Sequence, residues 1–231
     1  DYAARRALAR LGARKIGTRK ARVLFEAPLV CGLLGNFVQA ASGGALYRKA
    51  SFLVDSLDKA LFAEHLNVHE DPHLPRAGGS APFDEEGVRS KARNVIDSGR
   101  LTGYFLSTYS ARKLGMKSTG NAGGAYNLEL RSTRTQPHHD FAGLLRELGT
   151  GLLVTELIGH GVNYVTGDYS RGASGFWVEG GEIRYPVEEI TIAGNLRDMY
   201  RHIVAVGTDQ VQRGGKIAGS VVVEGMTIGG A

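Results

Sequence analysis

Cysteine is nearly absent from this chain, with one thiol, Cys31, in 231 residues. One thiol cannot close an internal disulfide, so the disulfide-framework class is excluded and a reducing compartment is indicated. Its neighbours Leu29, Val30, Leu33 and Leu34 mark it as a buried structural thiol rather than a reactive one. No apolar run reaches the ~18 residues of a membrane-spanning helix, and no hydrophobic segment with a small-residue cleavage site opens the chain. The expectation is a soluble, cytoplasmic protein with no membrane partner. The dinucleotide fingerprint, the phosphate-binding P-loop and the GxSxG nucleophile elbow are missing too, which removes the commonest nucleotide-binding and serine-hydrolase classes.

What the chain has in surplus is glycine, 33 of 231 residues, roughly twice the usual ~7%. Many positions must therefore need tight turns, positive φ or close backbone approach. That favours strands and hairpins over a helical bundle. Hydrophobic residues make up 42% and charged residues 22%, a globular balance with enough apolar mass for a sizeable core.

The net charge of +5 is unevenly spread. Residues 1–22 hold eight cations (Arg5, Arg6, Arg10, Arg14, Lys15, Arg19, Lys20 and Arg22) against Asp1, a balance of +7, and the other 209 residues sum to −2. A basic arm can grip phosphates. Ala4, Ala7, Leu8 and Leu11 recur at helical spacing, however, so the cations read as the wet face of an amphipathic helix.

Periodicity and turn residues predict a helix over 2–11 stopped by Gly12, a strand over 23–26, and an apolar helix opened by Pro28 and running to about Ala41. Residues 67–84, with three prolines and Gly78-Gly79, read as an irregular loop. A hairpin over 88–106, a helix over 107–114, a strand over 126–131 and a helix from Asp140 to Gly149 follow. Next come a strand over 152–157 and a hairpin through Gly180-Gly181. Asn195 then caps a helix to about Val204, and two short strands joined near Gly225 end the chain. Hairpins broken by isolated helices, without βαβ alternation, predict an α+β fold: an antiparallel β-sheet-rich domain with several flanking helices, spanning 1–231 as one unit.

His69-Glu70-Asp71-Pro72-His73 fits HExxH as a string. A zincin needs those histidines one helical turn apart, and Pro72 between them breaks the helix at a cost of ~3 kcal/mol or more. Adding His65 does not repair this, so these read as exposed loop histidines. His138, His139, His160 and His202 have no Cys or carboxylate at metal-ligand spacing. Gly120 to Gly124 reads as a plain loop rather than an anion cradle. Glu85-Glu86 and Glu188-Glu189 are adjacent, and on strands such neighbours face opposite ways. No catalytic constellation emerges from the residues alone.

The block GTGLLVTELIGHGVNYV followed by TGDYSRGASGFWVEGGEIRYPVEEITIAGN, residues 149–195, resembles the C-terminal signature of the TldD/PmbA family of bacterial and archaeal metalloproteases. ARRALARLGARKIGTRKA, GGALYRKASFLVDSLDKAL, DPHLPRAGGSAPFDEEGVRS and TYSARKLGMKSTGNAGG agree with the family's PmbA, or TldE, branch in order and spacing. The likeness covers the family's C-terminal half only, so the chain is expected to lack the N-terminal domain of a whole member.

Catalytic TldD-type members carry HExxxH on a helix, with a late cysteine as third zinc ligand. By the resemblance, Gly35 and Ala40 stand at the two histidine positions and Asn36 at the glutamate position, and residues 210–231 hold no cysteine. Glycine and alanine have no donor atom, and an asparagine amide is no general base. The resemblance therefore implies a subunit with no catalytic or metal-binding residues of its own, paired with a TldD-type subunit that holds zinc and cuts unfolded peptides. The family associations are peptide-antibiotic maturation, antitoxin degradation and an older label as modulator of DNA gyrase. Asp168, Tyr169, Ser170 and Arg171 are the candidate substrate- or partner-contacting residues, against a structural turn in which Asp168 pairs with Arg171. Trp177 reads as core. The competing readings are an independent metallopeptidase built on His65, His69 and His73, and a gyrase- or nucleic-acid-binding module using residues 1–22. A homodimer is a further possible assembly.

Overall fold

The computed structural model describes residues 1–230. After helix α1 (Tyr2–Leu8), strand β1 (Arg19–Phe25) runs into α2 (Ala27–Ala40) and α3 (Gly43–Tyr47). Strands β2 (Leu66–Asp71), β3 (Arg93–Asp97) and β4 (Arg100–Leu101) precede α4 (Thr108–Lys113), and β5 (Asn127–Ser132) precedes α5 (Phe141–Leu148). Three long strands follow: β6 (Gly151–Ile158), β7 (Asp168–Glu179) and β8 (Glu182–Asn195). The chain ends through α6 (Leu196–Arg201), β9 (Ile203–Val206), β10 (Val211–Arg213), β11 (Lys216–Ala218) and β12 (Val221–Gly229).

Strands β1, β6, β7, β8 and β12 pair in that order and β12 returns to β1, closing a small barrel. Along one side of β12 its first half takes β9 and its second half takes β8, while β1 lies along the other side. The second sheet has the order β10-β11-β5-β2-β3-β4. Pairing is antiparallel except at β1–β6 and β11–β5, which are parallel. The architecture is α+β on largely antiparallel sheet.

Several local signals act as the residues dictate. Gly180 and Gly181 take φ of +61° and +79°, the two left-handed positions a two-residue hairpin turn needs between β7 and β8. Asp140 caps α5 by accepting from Gly143 N at 2.7 Å, and Ser107 with Ser110 forms a capping box on α4. Helix α2 carries Pro28 in its first turn and is anchored by a buried relay: Ala27 N donates to Ser220 Oγ at 2.9 Å, and Ser220 Oγ donates to Asp209 Oδ2 at 2.6 Å.

Apolar side chains from the barrel interior, from α2 and from the second sheet form one continuous core that includes Phe25, Leu34, Phe37, Leu66, Leu130 and Tyr200. A smaller cluster on the outer barrel face (Leu24, Leu153, Val178 and Val222) is covered by Leu144 and Leu148 of α5. Helix α2 is buried along most of its circumference, Cys31 included. Burial raises the Cys31 thiol pKa, as an inert structural thiol requires. Trp177 is 5% exposed, with its indole N–H donating to Glu179 at 3.0 Å, so it is a core residue.

Five expectations need correction. Residues 66–71 are strand rather than loop, because Leu66, Val68 and Glu70 alternate inward while their neighbours are half-buried. The helix after Asn195 stops at Arg201, and 203–206 is a strand on β12. The C-terminal residues form one long strand, not two, with Gly225 at φ +72° and the β1–β12 register slipping between Ala21 and Val23. Glu189 sits at φ +52° where β7–β8 pairing slips between Ala173 and Gly175, so Glu188 and Glu189 are both exposed instead of pointing to opposite faces. Finally, α1 is shorter than expected and buries nothing: Leu8 is 64% and Leu11 72% exposed.

Candidate functional site

Positions 35, 36 and 40 lie on α2, which packs against β6, β10 and β11. A side chain built at Gly35 would place its first carbon 3.5 Å from Lys216 Cε, so the lysine stem of β11 lies over that position. Asn36 is half-buried, and its Oδ1 accepts from the Tyr164 hydroxyl at 3.0 Å. Ala40 is fully buried, and its carbonyl accepts from Ser51 Oγ at 2.6 Å. The three positions therefore present a lysine stem, an amide already engaged and a methyl in the core. This is not a donor set that fits zinc. Among the described residues, no group of three or more His, Cys, Asp or Glu is placed to hold a metal ion.

The histidine string is dispersed by the same strand geometry. His65 is buried, with Nδ1 2.9 Å from Ser132 Oγ and Nε2 2.9 Å from the Ile203 carbonyl, and burial lowers its pKa. His69 Nδ1 is 2.8 Å from Asn94 Oδ1. Glu70 points into the core at 1% exposure, where it accepts from Arg93 Nε (2.8 Å), Asn121 Nδ2 (2.8 Å) and Tyr126 N (3.0 Å). The would-be catalytic glutamate is a structural hub, and Asn121 of the glycine-rich loop is one of its partners. The rings of His138 and His139 meet edge to face at 4.6 Å, and His160 and His202 are exposed.

Asp168 to Arg171 is strand β7, not a turn, and its alternation splits the four candidates. Asp168 and Ser170 face solvent. Asp168 does not pair with Arg171. It accepts from Thr166 Oγ1 at 2.6 Å and Asn195 Nδ2 at 3.2 Å, and these hydrogen bonds, Thr166 first, lower its pKa. Ser170 N donates to the Gly161 carbonyl at 2.7 Å. The reverse approach is so close that a side chain on Gly161 would run into Ser170 O.

Tyr169 and Arg171 face inward. Tyr169 is 1% exposed; burial pushes its hydroxyl up to about 12, with the Arg171 guanidinium pulling the other way. Tyr164 and Tyr200 are raised by burial as well, Tyr164 against a smaller opposing pull from Arg171, and Tyr200 donates to the Leu33 carbonyl of α2 at 2.8 Å. Tyr164 is a residue that sequence reasoning did not single out, because nothing in its neighbourhood of the chain marks its meeting with Asn36.

Residues 1–22 place much of their charge in pairs. Arg6 meets Glu26 at 2.8 Å, Arg10 meets Glu156 at 2.5 Å, Lys15 meets Glu189 at 2.6 Å, and Arg22 meets Glu224 at 3.1 Å. Arg14 and Arg19 lie over the rings of Tyr185 and Trp177. No helix among the described residues is long and apolar enough to cross a membrane.

A barrel joined through a buried helix to a second sheet is the fold of a metallopeptidase family. Residues 18–230 match the family described as PmbA/TldA metallopeptidase C-terminal domain. The chain belongs to that family, the TldD/PmbA metallopeptidases. It is 52% identical to metalloprotease PmbA of Escherichia coli O157:H7 over 98% of its own length and 50% of that protein. It is 48% identical to the metalloprotease PmbA homolog of Haemophilus influenzae over 100% of its length and 50% of that protein. The chain thus spans about half the length of the curated relatives it matches. A Bacteroides thetaiotaomicron protein proposed to modulate DNA gyrase superposes with a TM-score of 0.92 at 32% identity, over 100% of this chain and 51% of that one. TldE from Thermococcus kodakarensis shares the fold at a TM-score of 0.84 and 21% identity, over 99% of this chain and 54% of that one.

Proposed function

We propose that this chain is the C-terminal part of a non-catalytic, PmbA/TldE-type subunit of a cytoplasmic two-component metalloprotease. In this reading a TldD-type partner holds zinc and hydrolyses unfolded peptides, while this chain helps to enclose and hold them. The observation that carries the reading is the chemistry at Gly35, Asn36 and Ala40. Activating water needs donor atoms for a metal and a base for the proton, and these side chains offer neither. The relatives' name of metalloprotease fits a family activity to which this chain contributes without its own metal.

Substrate capture by strand addition needs a long free edge. The barrel is closed, and the second sheet ends in the short strands β10 and β4. Peptide holding is therefore not assigned to a sheet edge of this chain. The metallopeptidase reading based on His65, His69 and His73 gains no support from histidines that are separately engaged or exposed. The nucleic-acid reading is weakened by the paired cations of residues 1–22, since phosphate affinity rests on cations free to displace counterions.

The test is co-purification with a TldD-type homologue, followed by cleavage of an unfolded peptide by the partner with and without this chain. Complex formation and faster cleavage in its presence are expected. Equal cleavage by this chain alone would overturn the proposal.

A further inference from the structure

A cleft of about 410 Å³ opens beside α2, where Val38 meets the glycine pairs 78–79, 123–124 and 214–215 and the first residue of β11, Lys216. Its walls are bare main chain by necessity. Gly123 and Gly124 take φ of +98° and +113°, and a Cβ at Gly79 would come within 2.7 Å of Asn127 Oδ1. Asn127 is 2% exposed, and that oxygen, turned toward the Gly79 wall, has no hydrogen-bond partner among the described residues. The peptide groups of Gly78, Gly79 and Gly123 enter none of the backbone hydrogen bonds formed outside the helices and strands. Their donors and acceptors are open to a ligand's main chain.

Lys216 is the one charged side chain that lines the cleft. It is half-buried and forms none of the ion pairs seen among the described residues. Its Cε lies 3.5 Å from where a Cβ on Gly35 would stand, so the ammonium one bond further on is beside α2. Burial raises the Cys31 thiol on the same helix, and the charges of Lys216 and Arg213 pull against that rise. In a partly desolvated cleft an unpaired cation attracts an anion more strongly than it does in open water.

We propose that this cleft binds the C-terminal end of an extended peptide, with the Lys216 ammonium on the terminal carboxylate and the glycine peptide groups on the main chain. Its volume falls within the ~300–1,000 Å³ of small-ligand sites. The ammonium–carboxylate bond is charge-assisted, and main-chain bonding holds a peptide without reading its sequence. One cation suits the single charge of a peptide terminus better than a phosphate dianion. The identification of the ligand as a peptide rests on the accessory-subunit reading. The test uses this chain without partner or zinc, so failed binding leaves metal content and partner-dependent cleavage to be decided by their own assays.

The experiment is isothermal titration of the full chain with N-acetylated tetraalanine as the free acid, with the same peptide as the C-terminal amide, and with inorganic phosphate. The free acid is expected to bind at least about tenfold more tightly than the amide or phosphate, as one charge-assisted bond allows. Lys216→Met, which keeps the length of the stem, should abolish that preference, and Lys216→Arg should retain it. A Cβ at Gly78 meets nothing within 4 Å, so Gly78→Leu should keep the parent's melting temperature. By filling cleft space it should weaken the free acid by about tenfold. Equal affinity for acid and amide, phosphate binding as tight as the free acid, or no binding of any ligand would each overturn the proposal. So would an acid preference that survives Lys216→Met, or unchanged free-acid affinity in Gly78→Leu.

Discussion

Replacing Arg93 by Met should destabilise this chain more than most single changes. Glu70 is 1% exposed and receives three hydrogen bonds, one of them from Arg93 Nε at 2.8 Å. Arg93 also donates to the Tyr104 carbonyl at 2.8 Å and to Asn121 Oδ1 at 3.0 Å. Arg93→Met strips the counter-charge and leaves a carboxylate in the core, a change that costs ~3–5 kcal/mol when a buried pair loses one partner. The Arg93 side chain is 21% exposed, which places the expected loss toward the lower end of that range. For a chain of this size each kcal/mol moves the melting temperature by about 2–4 °C, so the drop should be clear in a thermal scan.

The assay is urea unfolding of the parent, Arg93→Met, Glu70→Met and the double variant. A shift of midpoint at constant slope reports stability. The double variant should lose less than the two singles combined, by at least about 1 kcal/mol, because it leaves no unpaired charge behind. An Arg93→Met loss below about 1 kcal/mol, or simple additivity, would refute the reasoning. Zinc content should not change in any variant, since Glu70 is a hub of hydrogen bonds rather than part of a metal motif.

Two glycines on different elements should respond in opposite senses to alanine. A side chain on Gly175 would collide with the Leu153 carbonyl across β6–β7, so Gly175→Ala should cost about 1–3 kcal/mol; Gly32, exposed in α2 with nothing within 4 Å, should gain about 0.5–1 kcal/mol as Gly32→Ala. Urea midpoints of the two variants check both signs. Alkaline pH should weaken the fold through Tyr169. Its folded value of about 12 lies above the ordinary ~10, so its contribution is complete below pH 10 and is lost as pH rises toward 12, by about 3 kcal/mol in all. Stability measured at pH 9 and pH 12 should fall further in the parent than in Tyr169→Phe; equal falls would contradict the assignment.

Elements whose signals are local were legible in the sequence. Gly180-Gly181, the Asp140 cap with Gly149, and Pro28 at the start of α2 each carry their geometry within a few residues. The missed features depend on partners distant in the chain. Strand β2 hid behind prolines and polar residues, because the inward-facing Glu70 looks like a surface residue until Arg93 and Asn121 are folded around it. The turn alternative for Asp168 to Arg171 rested on the flanking Gly167 and Gly172, and it failed because the segment pairs with residues 192–195 of β8, which the local sequence does not announce. The candidate site was legible in part. Tyr169 and Arg171 were singled out together with Asp168 and Ser170, and only strand geometry separates the inward pair from the outward one. Tyr164 was out of reach, since its contact with Asn36 spans 128 positions. The apolar side of α1 was over-read: helical spacing predicts a face, but not that anything in this chain covers it.

The central claim is that this chain makes no zinc site of its own. Elemental analysis of the purified chain, equilibrated with zinc and then freed of unbound ion, tests it most directly. The account predicts zinc far below one ion per chain, with no change on replacing His69. One firmly held zinc per chain, released when Asn36 and its neighbours on α2 are substituted, would contradict it.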